Sequence, residues 1–286
     1  WLPLAALANA TDDDNCEALL AALGAQGITV EDINHAASRM LYDLTKESAR
    51  AYEPDNHNPL RMANAVFVDH DETLNSEFAQ CYANYYLGKV IEVDFESTDA
   101  VKAVNQWASE HTEGLIDELI QEFDPNTVAA IANAIYFSDR WEWEFKADQT
   151  SENTFYGPTG QSSAYFMLRE GDSQTYYEDD RLQAMPLRFK SGGSLYVLLP
   201  KDGNAAGLLA SMDNAYFTEI QNDSIQASGK LLLPRFTMDS DVVMLNEALE
   251  SLGIPLFEQQ KAALTRGLID GNTPVWLSSA VQKAVI

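Results

Sequence analysis

The chain has 286 residues, of which 46% are hydrophobic and 22% charged, so it can form a packed core, and this composition argues against wholesale disorder. Its 18 basic and 44 acidic residues give a formal net charge of −26 at pH 7. A field of that sign repels phosphate backbones and anionic lipid, which makes nucleic acid and membrane surfaces poor partners.

The first clear element along the chain is a helix that begins in an acidic triplet. Acidic residues at a helix start complement the helix dipole, and Thr11 or an early aspartate of the run 12–14 is the predicted N-cap. Three aspartates can also bind calcium, but consecutive ones point in different directions on a helix, so the capping interpretation is favoured. The apolar face and the C-terminal stop of this helix are Ala18, Leu19, Leu20, Leu23 and Gly24.

The rest of the first half alternates between helical and extended patterns. Apolar residues three or four apart predict helices at 32–47, 75–86 and 99–111, the last interrupted by Gly114 before Leu115, Ile116, Leu119 and Ile120. Alternation predicts strands at 61–68, buried on both faces, and at 90–95, half-buried. The residues 54–59 between two prolines read as a polar loop.

The second half is richer in strands. The long apolar run 128–137 is typical of a strand at the centre of a sheet covered on both faces. Residues 182–189 and 195–199 flank a turn at 190–194 and predict a hairpin. Further strands are predicted at 230–237 and 275–286, and helices at 205–212 and at 242–252, closed by Gly253. This is a mixed α+β pattern, and the missing βαβ order argues against a dinucleotide-binding fold.

Enzyme chemistry is absent from the sequence patterns. There is no GxGxxG after a strand, no GxxxxGK[ST], no GxSxG and no HExxH. The four histidines, His35, His57, His70 and His111, lie in four segments without ligand spacing, and His111 is placed to cap a helix C-terminus. With 44 carboxylates, any acid/base pair can be imagined, so none is informative. We therefore expect no enzyme, no metal and no cofactor.

The cysteines and the chain start add little. Cys16 and Cys81 either pair once or remain two buried thiols that behave as small hydrophobes. The chain opens at Trp1 with no signal peptide visible, so we expect the numbering to begin inside a longer natural protein.

Four segments resemble the serpin family and lie in the family's order and spacing. Residues 105–119 (NQWASEHTEGLIDEL) resemble its NxWxxxxTxGxIxxL segment, and residues 133–141 (NAIYFSDRW) resemble NAIYFKGKW. Residues 233–257 contain LPRF, LGI and LF, similar to the family's LPKF…LGI..LF stretch. Residues 277–286 (LSSAVQKAVI) resemble the strand that leads into the reactive loop. Softer likeness fills the gaps from about Leu4 onward, so the resemblance covers essentially the whole chain.

The resemblance implies an α+β serpin fold with three β-sheets, the large central one surrounded by helices, as a single domain over residues 1–286. Compared with the family pattern this fold is incomplete at both ends, because the first helix and everything from the reactive loop onward lie outside the sequence. Family members that inhibit fold into a metastable state, are cleaved in the reactive loop by a protease, and trap it by inserting that loop into the sheet.

The implied function is suicide inhibition of serine proteases, with cysteine proteases as a second target class. The implied protein is a monomer without cofactor that is extracellular or at the cell surface, and its acidic, cysteine-poor composition is compatible with a prokaryotic source. The alternative is a non-inhibitory serpin that acts as a binding or chaperone-like protein. The residues that separate these two functions belong to the hinge, which would follow Ile286, as would the reactive bond.

Four residues are the expected conformational switch. By resemblance Asn133 belongs to the polar cluster beneath the point where the sheet opens, although an ordinary buried asparagine that bonds local backbone explains it equally well. Gln282 falls where many family members carry a histidine of the same cluster, and Lys283 follows it. Trp141 matches the tryptophan near the top of the sheet, where insertion begins, and is expected to be core under either interpretation.

Overall fold

The computed structural model describes residues 1–50, 59–157, 159–259, 263–264, 267–271 and 274–286. These residues group into two units, one formed by 1–49, 59–137 and 237–286 and the other by 138–236. The predicted polar loop at 54–59 falls, except for Pro59, outside the described residues. None of the described helices is long and apolar enough to cross a membrane.

The helices and strands follow one another along the described chain in mixed order. The α-helices are α1 (Leu2–Leu7), α2 (Asp13–Ala22), α3 (Val30–Arg50), α4 (Ser76–Tyr86), α5 (Thr98–His111), α6 (Ala205–Ala210), α7 (Asn214–Asn222) and α8 (Asn246–Ser251). The strands are β1 (Leu60–Asp69), β2 (Gly88–Val93), β3 (Ala129–Phe137), β4 (Thr150–Gly157), β5 (Gly160–Glu178), β6 (Leu182–Arg188), β7 (Ser194–Pro200), β8 (Ile225–Pro234), β9 (Val243–Met244) and β10 (Val281–Gln282).

Local signals account for most helix boundaries. The N-cap of α2 is Asp12, whose side chain accepts from the backbone N–H of Asn15 at 3.0 Å, and Gly24 follows the helix at φ 77°, as predicted. The side chain of Asn75 caps α4 in the same way, and Ser97 caps α5. The predicted helices therefore exist, with ends shifted by a few residues.

The first unit is built on a three-stranded sheet in the order β2-β1-β3, in which β1 is parallel to β2 and antiparallel to β3. One face of β1 packs on α1 to α4 through Val66 and Val68. The other face packs on α5, where Phe67 meets Trp107 edge to face at 6.0 Å between ring centroids. The prediction that 61–68 is buried on both faces is confirmed from Asn64 onward.

The prediction that 128–137 lies at the centre of a sheet is wrong for the strands that the structure describes, whereas the predicted cover on both faces is confirmed for the first half of this run. The strand it forms, β3, pairs with β1 and with no other described strand, so it lies at the edge of the described sheet. Its last residues are open, since Ile135 is 52% and Phe137 45% exposed. The apolar composition of β3 reflects packing on both faces, with Ala132 and Ala134 in the cluster that contains α5 and Ala129 and Ile131 against the cluster of α1 to α4.

The same unit contains a second, short sheet made of β9 and β10, which run antiparallel. The strand predicted at 275–286 is reduced to the two residues of β10, continued by reciprocal 2.7 Å backbone bonds between Met238 and Ile286. The helix predicted at 242–252 starts only at Asn246, because Val243 and Met244 belong to β9.

The second unit is a five-stranded sheet in the order β4-β5-β6-β7, with β8 paired to β5. The predicted hairpin is confirmed as β6 and β7, joined through a turn in which Gly192 has φ 101°. The predicted strand at 230–237 begins earlier, as β8. The sequence analysis missed β4, the 19-residue β5 and α7. A small core of Tyr177, Leu182, Ala184, Leu208 and Ile220 underlies this sheet.

Between α5 and β3 the chain forms turns rather than a helix, and Asn105 anchors it. The Asn105 side chain accepts from the backbone N–H groups of Leu119 (2.8 Å) and Ile120 (3.0 Å) and donates to the Ile120 carbonyl at 2.7 Å. These three bonds explain why the segment after α5 stays on the sheet face without a helical ladder of its own.

We expect Asn105→Ala to lower the free energy of unfolding by about 2 kcal/mol, because it leaves three half-buried backbone groups without their partner. Urea denaturation of the full-length protein measures this change. The neighbouring Gln106 is the control, since it is exposed and bonds only Glu110 at 2.7 Å within the helix. Gln106→Ala should stay within about 0.5 kcal/mol of the unmutated protein, and equal losses for the two variants would refute the anchoring role.

Candidate functional site

Asn133, the strongest switch residue predicted from the sequence, lies directly opposite Asn64 in the β1–β3 register. Side chains of directly opposed residues project from the same face of a sheet. Asn133 Nδ2 donates to Asn64 Oδ1 at 2.8 Å and to the Ala63 carbonyl at 3.3 Å. Asn133 is thus hydrogen-bonded across to β1 and not to its own local backbone.

Asn64 was missed by the sequence analysis, although it carries the same signal as Asn133. It is the one polar side chain in the run Asn64–Val68, between Ala63 and four apolar neighbours, and it is only 4% exposed. Its Nδ2 donates to the carbonyl of Tyr86 at 2.7 Å. Both hydrogen-bonding ends of the amide are therefore used, which offsets the free-energy cost of burying it.

The hydrogen bonds continue from Tyr86 into the helices. Tyr86 is fully buried, and its hydroxyl donates to Asn34 Oδ1 at 2.8 Å. Asn34 and Asn9 exchange two amide bonds of 2.8 and 2.9 Å. We call the five residues Asn133, Asn64, Tyr86, Asn34 and Asn9 the amide chain. It runs from β3 through β1 and α4 to α3 and to the 3-10 turn (Ala8–Ala10) that follows α1.

Cys81 joins the far end of the amide chain. Its thiol donates to Asn9 Oδ1 at 3.2 Å. Burial raises the pKa of the Cys81 thiol and also raises the pKa of the Tyr86 phenol, so both groups stay protonated and remain donors at neutral pH. Cys16 and Cys81 are both free thiols, so they do not pair, and both are half-buried rather than buried as the second alternative had it.

The structure does not bring Gln282 or Lys283 to Asn133. Gln282 is exposed in β10, opposite Val243 of β9, and is not among the described hydrogen-bond partners of Asn133. Lys283 Nζ lies 3.8 Å from Asp239 Oδ1, with its side chain 14% exposed. Gln282 belongs to the short sheet and Lys283 follows it directly, whereas Asn133 belongs to the three-stranded sheet.

Trp141 lies in the second unit, where the β6–β7 hairpin holds it. Its ring stacks on Phe189 with 4.5 Å between centroids and meets Phe145 edge to face at 6.0 Å. An isolated bridge also joins the backbones of Trp141 and Phe189. The tryptophan is half-buried rather than full core, and its part in loop insertion stays a prediction.

Among the described residues, one group of three could supply ligand atoms for a metal: Asp69, His70 and Asp71, whose ligand atoms lie within 4.8 Å of one another. Asp69 already accepts backbone N–H bonds of 3.0 Å from Asp71 and from Phe95, one on each oxygen. Burial opposes ionisation of Asp69, but these two bonds outweigh it and hold the pKa of its carboxyl below the usual value. The Asp69 carboxylate thus helps to hold the turn after β1, and we assign no function to the group.

The predicted cap of α5 by histidine has a counterpart in the structure. His111 lies in the last turn, with Nδ1 2.7 Å from the Trp107 carbonyl and its ring over the Trp107 ring. His57 lies outside the described residues. His111 thus contributes to the packing and capping at the end of α5.

Comparison with known proteins points to one family. The chain matches the family model described as Serpin (serine protease inhibitor) over residues 1–286. An uncharacterized serpin-like protein of Thermococcus kodakarensis is 29% identical, over 68% of this chain and 46% of the relative. Alpha-1-antitrypsin 1-2 of Mus musculus is 28% identical, over 89% of this chain and 60% of the relative. The chain thus spans only about half to three fifths of the length of these two relatives.

Structural comparison agrees on the fold. The native state of the thermophilic serpin tengpin superposes with a TM-score of 0.86, over 100% of this chain and 72% of that chain, at 24% sequence identity. The described part of this chain has the serpin fold, with helices and three sheets of which the largest has five strands.

Proposed function

The chain belongs to the serpin family, and on this premise we propose that the protein is a suicide inhibitor of serine proteases. A protease would cleave a reactive loop that follows Ile286, and the loop would insert beside β3 as a new strand. Insertion would carry the acylated protease away and distort its active site. Asn133, Trp141, Gln282 and Lys283 are proposed to control the opening of the sheet.

The observation that carries this proposal is the position of β3, which pairs with β1 and with no other strand that the structure describes. An edge strand presents unpaired backbone N–H and C=O groups, which are a ready template for another strand. Near the middle of that edge strand lies Asn133, bonded to Asn64 by side chains alone. Such a pair can exchange partners when a strand arrives, without breaking the backbone ladder between β1 and β3.

Several features of the proposed protein follow from the same premise. We propose one domain, acting as a monomer outside the cell, without a cofactor and without catalysis of its own. The protease is the partner, of the serine class first and the cysteine class second. The net charge of −26 would favour a protease with a basic surface, because opposite charge accelerates association.

The test incubates the full-length natural protein with trypsin-, chymotrypsin-, elastase- and subtilisin-like proteases and separates the products on a denaturing gel. We expect a covalent band at the summed mass, with protease activity lost one for one, for at least one of these classes. Cleavage of the loop without that band, and with full protease activity, would reject inhibition and favour a non-inhibitory binding or chaperone-like serpin.

A further inference from the structure

Arg61 connects three elements at one end of the three-stranded sheet. It lies near the start of β1, directly opposite Tyr136 of β3, and its guanidinium carbon is 4.5 Å from the centroid of the Tyr136 ring. Its Nη2 donates to Glu113 Oε1 at 2.6 Å, in the turn that follows α5. Arg61 Nε is buried without a hydrogen-bond partner among the described residues. One side chain therefore joins β1, β3 and that turn.

The turn itself is held in an unfavourable backbone conformation. Glu113 has φ 53°, a left-handed value that is disfavoured for a residue with a Cβ, and Gly114 follows at φ 76°. The two residues redirect the chain from α5 into residues 115–128, which cover the sheet face and lead directly into β3. Backbone bonds from Gly114 N to the Ser109 carbonyl (2.9 Å) and from Leu115 N to the Thr112 carbonyl (3.0 Å) close the turn. The Glu113 side chain adds the bond that ties the turn to β1.

We propose that Arg61, Glu113 and Tyr136 form a clasp that fixes the turn after α5 to the sheet and opens before a new strand enters beside β3. Residues 112–128 lead directly into β3, so any movement of β3 relative to α5 pulls on this turn. The Arg61–Glu113 ion pair joins this turn to β1, and it must break for that movement to occur. The second half of this inference, on strand entry, rests on the proposed function.

The experiment compares two glutamate-to-glutamine variants of the full-length natural protein. Glu113→Gln removes the charge of the clasp and keeps the side-chain length. Glu170→Gln is the matched control, since its side chain is likewise 55% exposed and pairs with Lys230 at 3.1 Å in the second unit. Hydrogen exchange of the amides at 112–120 reports on the turn, and the rate of insertion after loop cleavage reports on strand entry.

For Glu113→Gln we expect exchange and insertion to be about two- to five-fold faster than in the unmutated protein and in Glu170→Gln. Added salt should accelerate the unmutated protein and leave Glu113→Gln nearly unchanged, because the half-exposed pair is screened. Arg61→Gln combined with Glu113→Gln should show less acceleration than the two single effects multiplied, as is expected for residues that act through one contact.

Equal exchange in Glu113→Gln and Glu170→Gln would overturn the clasp. Faster exchange with an unchanged insertion rate would overturn its control of strand entry. If the unmutated protein does not insert a cleaved loop at all, the proposed function and the control of strand entry both fail, and the exchange comparison alone decides whether the clasp holds the turn.

Discussion

Replacing Gly88 by alanine should lower the free energy of unfolding by about 3 kcal/mol or more, the upper range for overpacking in a core. Gly88 begins β2 immediately after α4. An alanine Cβ there would lie 2.2 Å from Cδ1 and from Cε1 of the Tyr82 ring. That ring is 1% exposed and stacked between Phe78 and Tyr86, at 5.7 and 5.9 Å between centroids, so it has no room to withdraw. The backbone of β2 must shift instead.

Gly229 provides the control for this prediction. It is also a strand glycine, in β8, but a Cβ added to it would meet no atom within 4 Å. Gly229→Ala should therefore change the free energy of unfolding by less than about 0.5 kcal/mol. Urea denaturation of both variants gives the comparison through the transition midpoints at unchanged slope. A loss for Gly88→Ala within about 1 kcal/mol of the control, a margin near the mean effect of a point mutation, would mean that the Tyr82 stack yields easily.

Elements with local signals were predictable from the sequence. Helix α2 could be predicted because a capping aspartate, an apolar face and a terminal glycine lie within thirteen residues, from Asp12 to Gly24. The β6–β7 hairpin could be predicted for the same reason, since its turn and both of its strands are contiguous in the sequence. Such elements are specified by neighbours along the chain, and a single sequence contains all of that information.

Elements specified by distant partners were not predictable in this way. The long strand β5 begins with polar residues and is largely exposed over Gly160–Ser163, so it shows no hydrophobic alternation there. Its pairing with β4 and β8 makes it a strand. The apolar run of β3 correctly indicated that part of this strand is buried. It could not show the position of the strand in the sheet, because a strand that packs against a helix and a strand between two other strands have the same apolar composition.

The candidate site also contains a part that local sequence predicts and a part that distant contacts determine. Asn133 was found because one polar residue in an apolar run is informative without its partner. The identity of that partner depends on the β1–β3 register, which joins residues 69 positions apart. The extension through Tyr86 to Asn34 and Asn9 depends on how three helices pack, and no pattern of spacing along the chain records it.

Changing Asn64 to aspartate should destabilise the protein by about 3–5 kcal/mol at pH 7, the usual loss when a buried charge is left uncompensated. The new carboxylate could still accept from Asn133, but it could not donate to the Tyr86 carbonyl, which lies 2.7 Å from the present amide nitrogen. Two oxygens with lone pairs would face each other at a position that is only 4% exposed. Urea denaturation at pH 7 measures the loss.

The same variant should recover stability as the pH falls, and the sign follows from burial. Desolvation and the facing carbonyl raise the pKa of the new carboxyl in the folded state above its unfolded value of about 3.9. The folded state then binds the proton more tightly, so the loss is smallest below the unfolded pKa and grows as the pH rises through the folded one. Once protonated, the carboxyl can again donate to the Tyr86 carbonyl, which restores the hydrogen-bond pattern of the asparagine.

Asn64→Leu separates charge from hydrogen bonding at this position. It removes the amide without adding a charge, and it should cost about 2–3 kcal/mol because the Tyr86 carbonyl and the Asn133 amide each lose a bond. That loss should be the same at pH 7 and pH 4.5 once the pH dependence of the unmutated protein is subtracted. If Asn64→Asp shows the same loss at both pH values, water reaches this position. The amide chain would then be solvated at its centre. A strand that arrives at the outer edge of β3 would therefore meet an Asn133–Asn64 hydrogen bond that water already reaches.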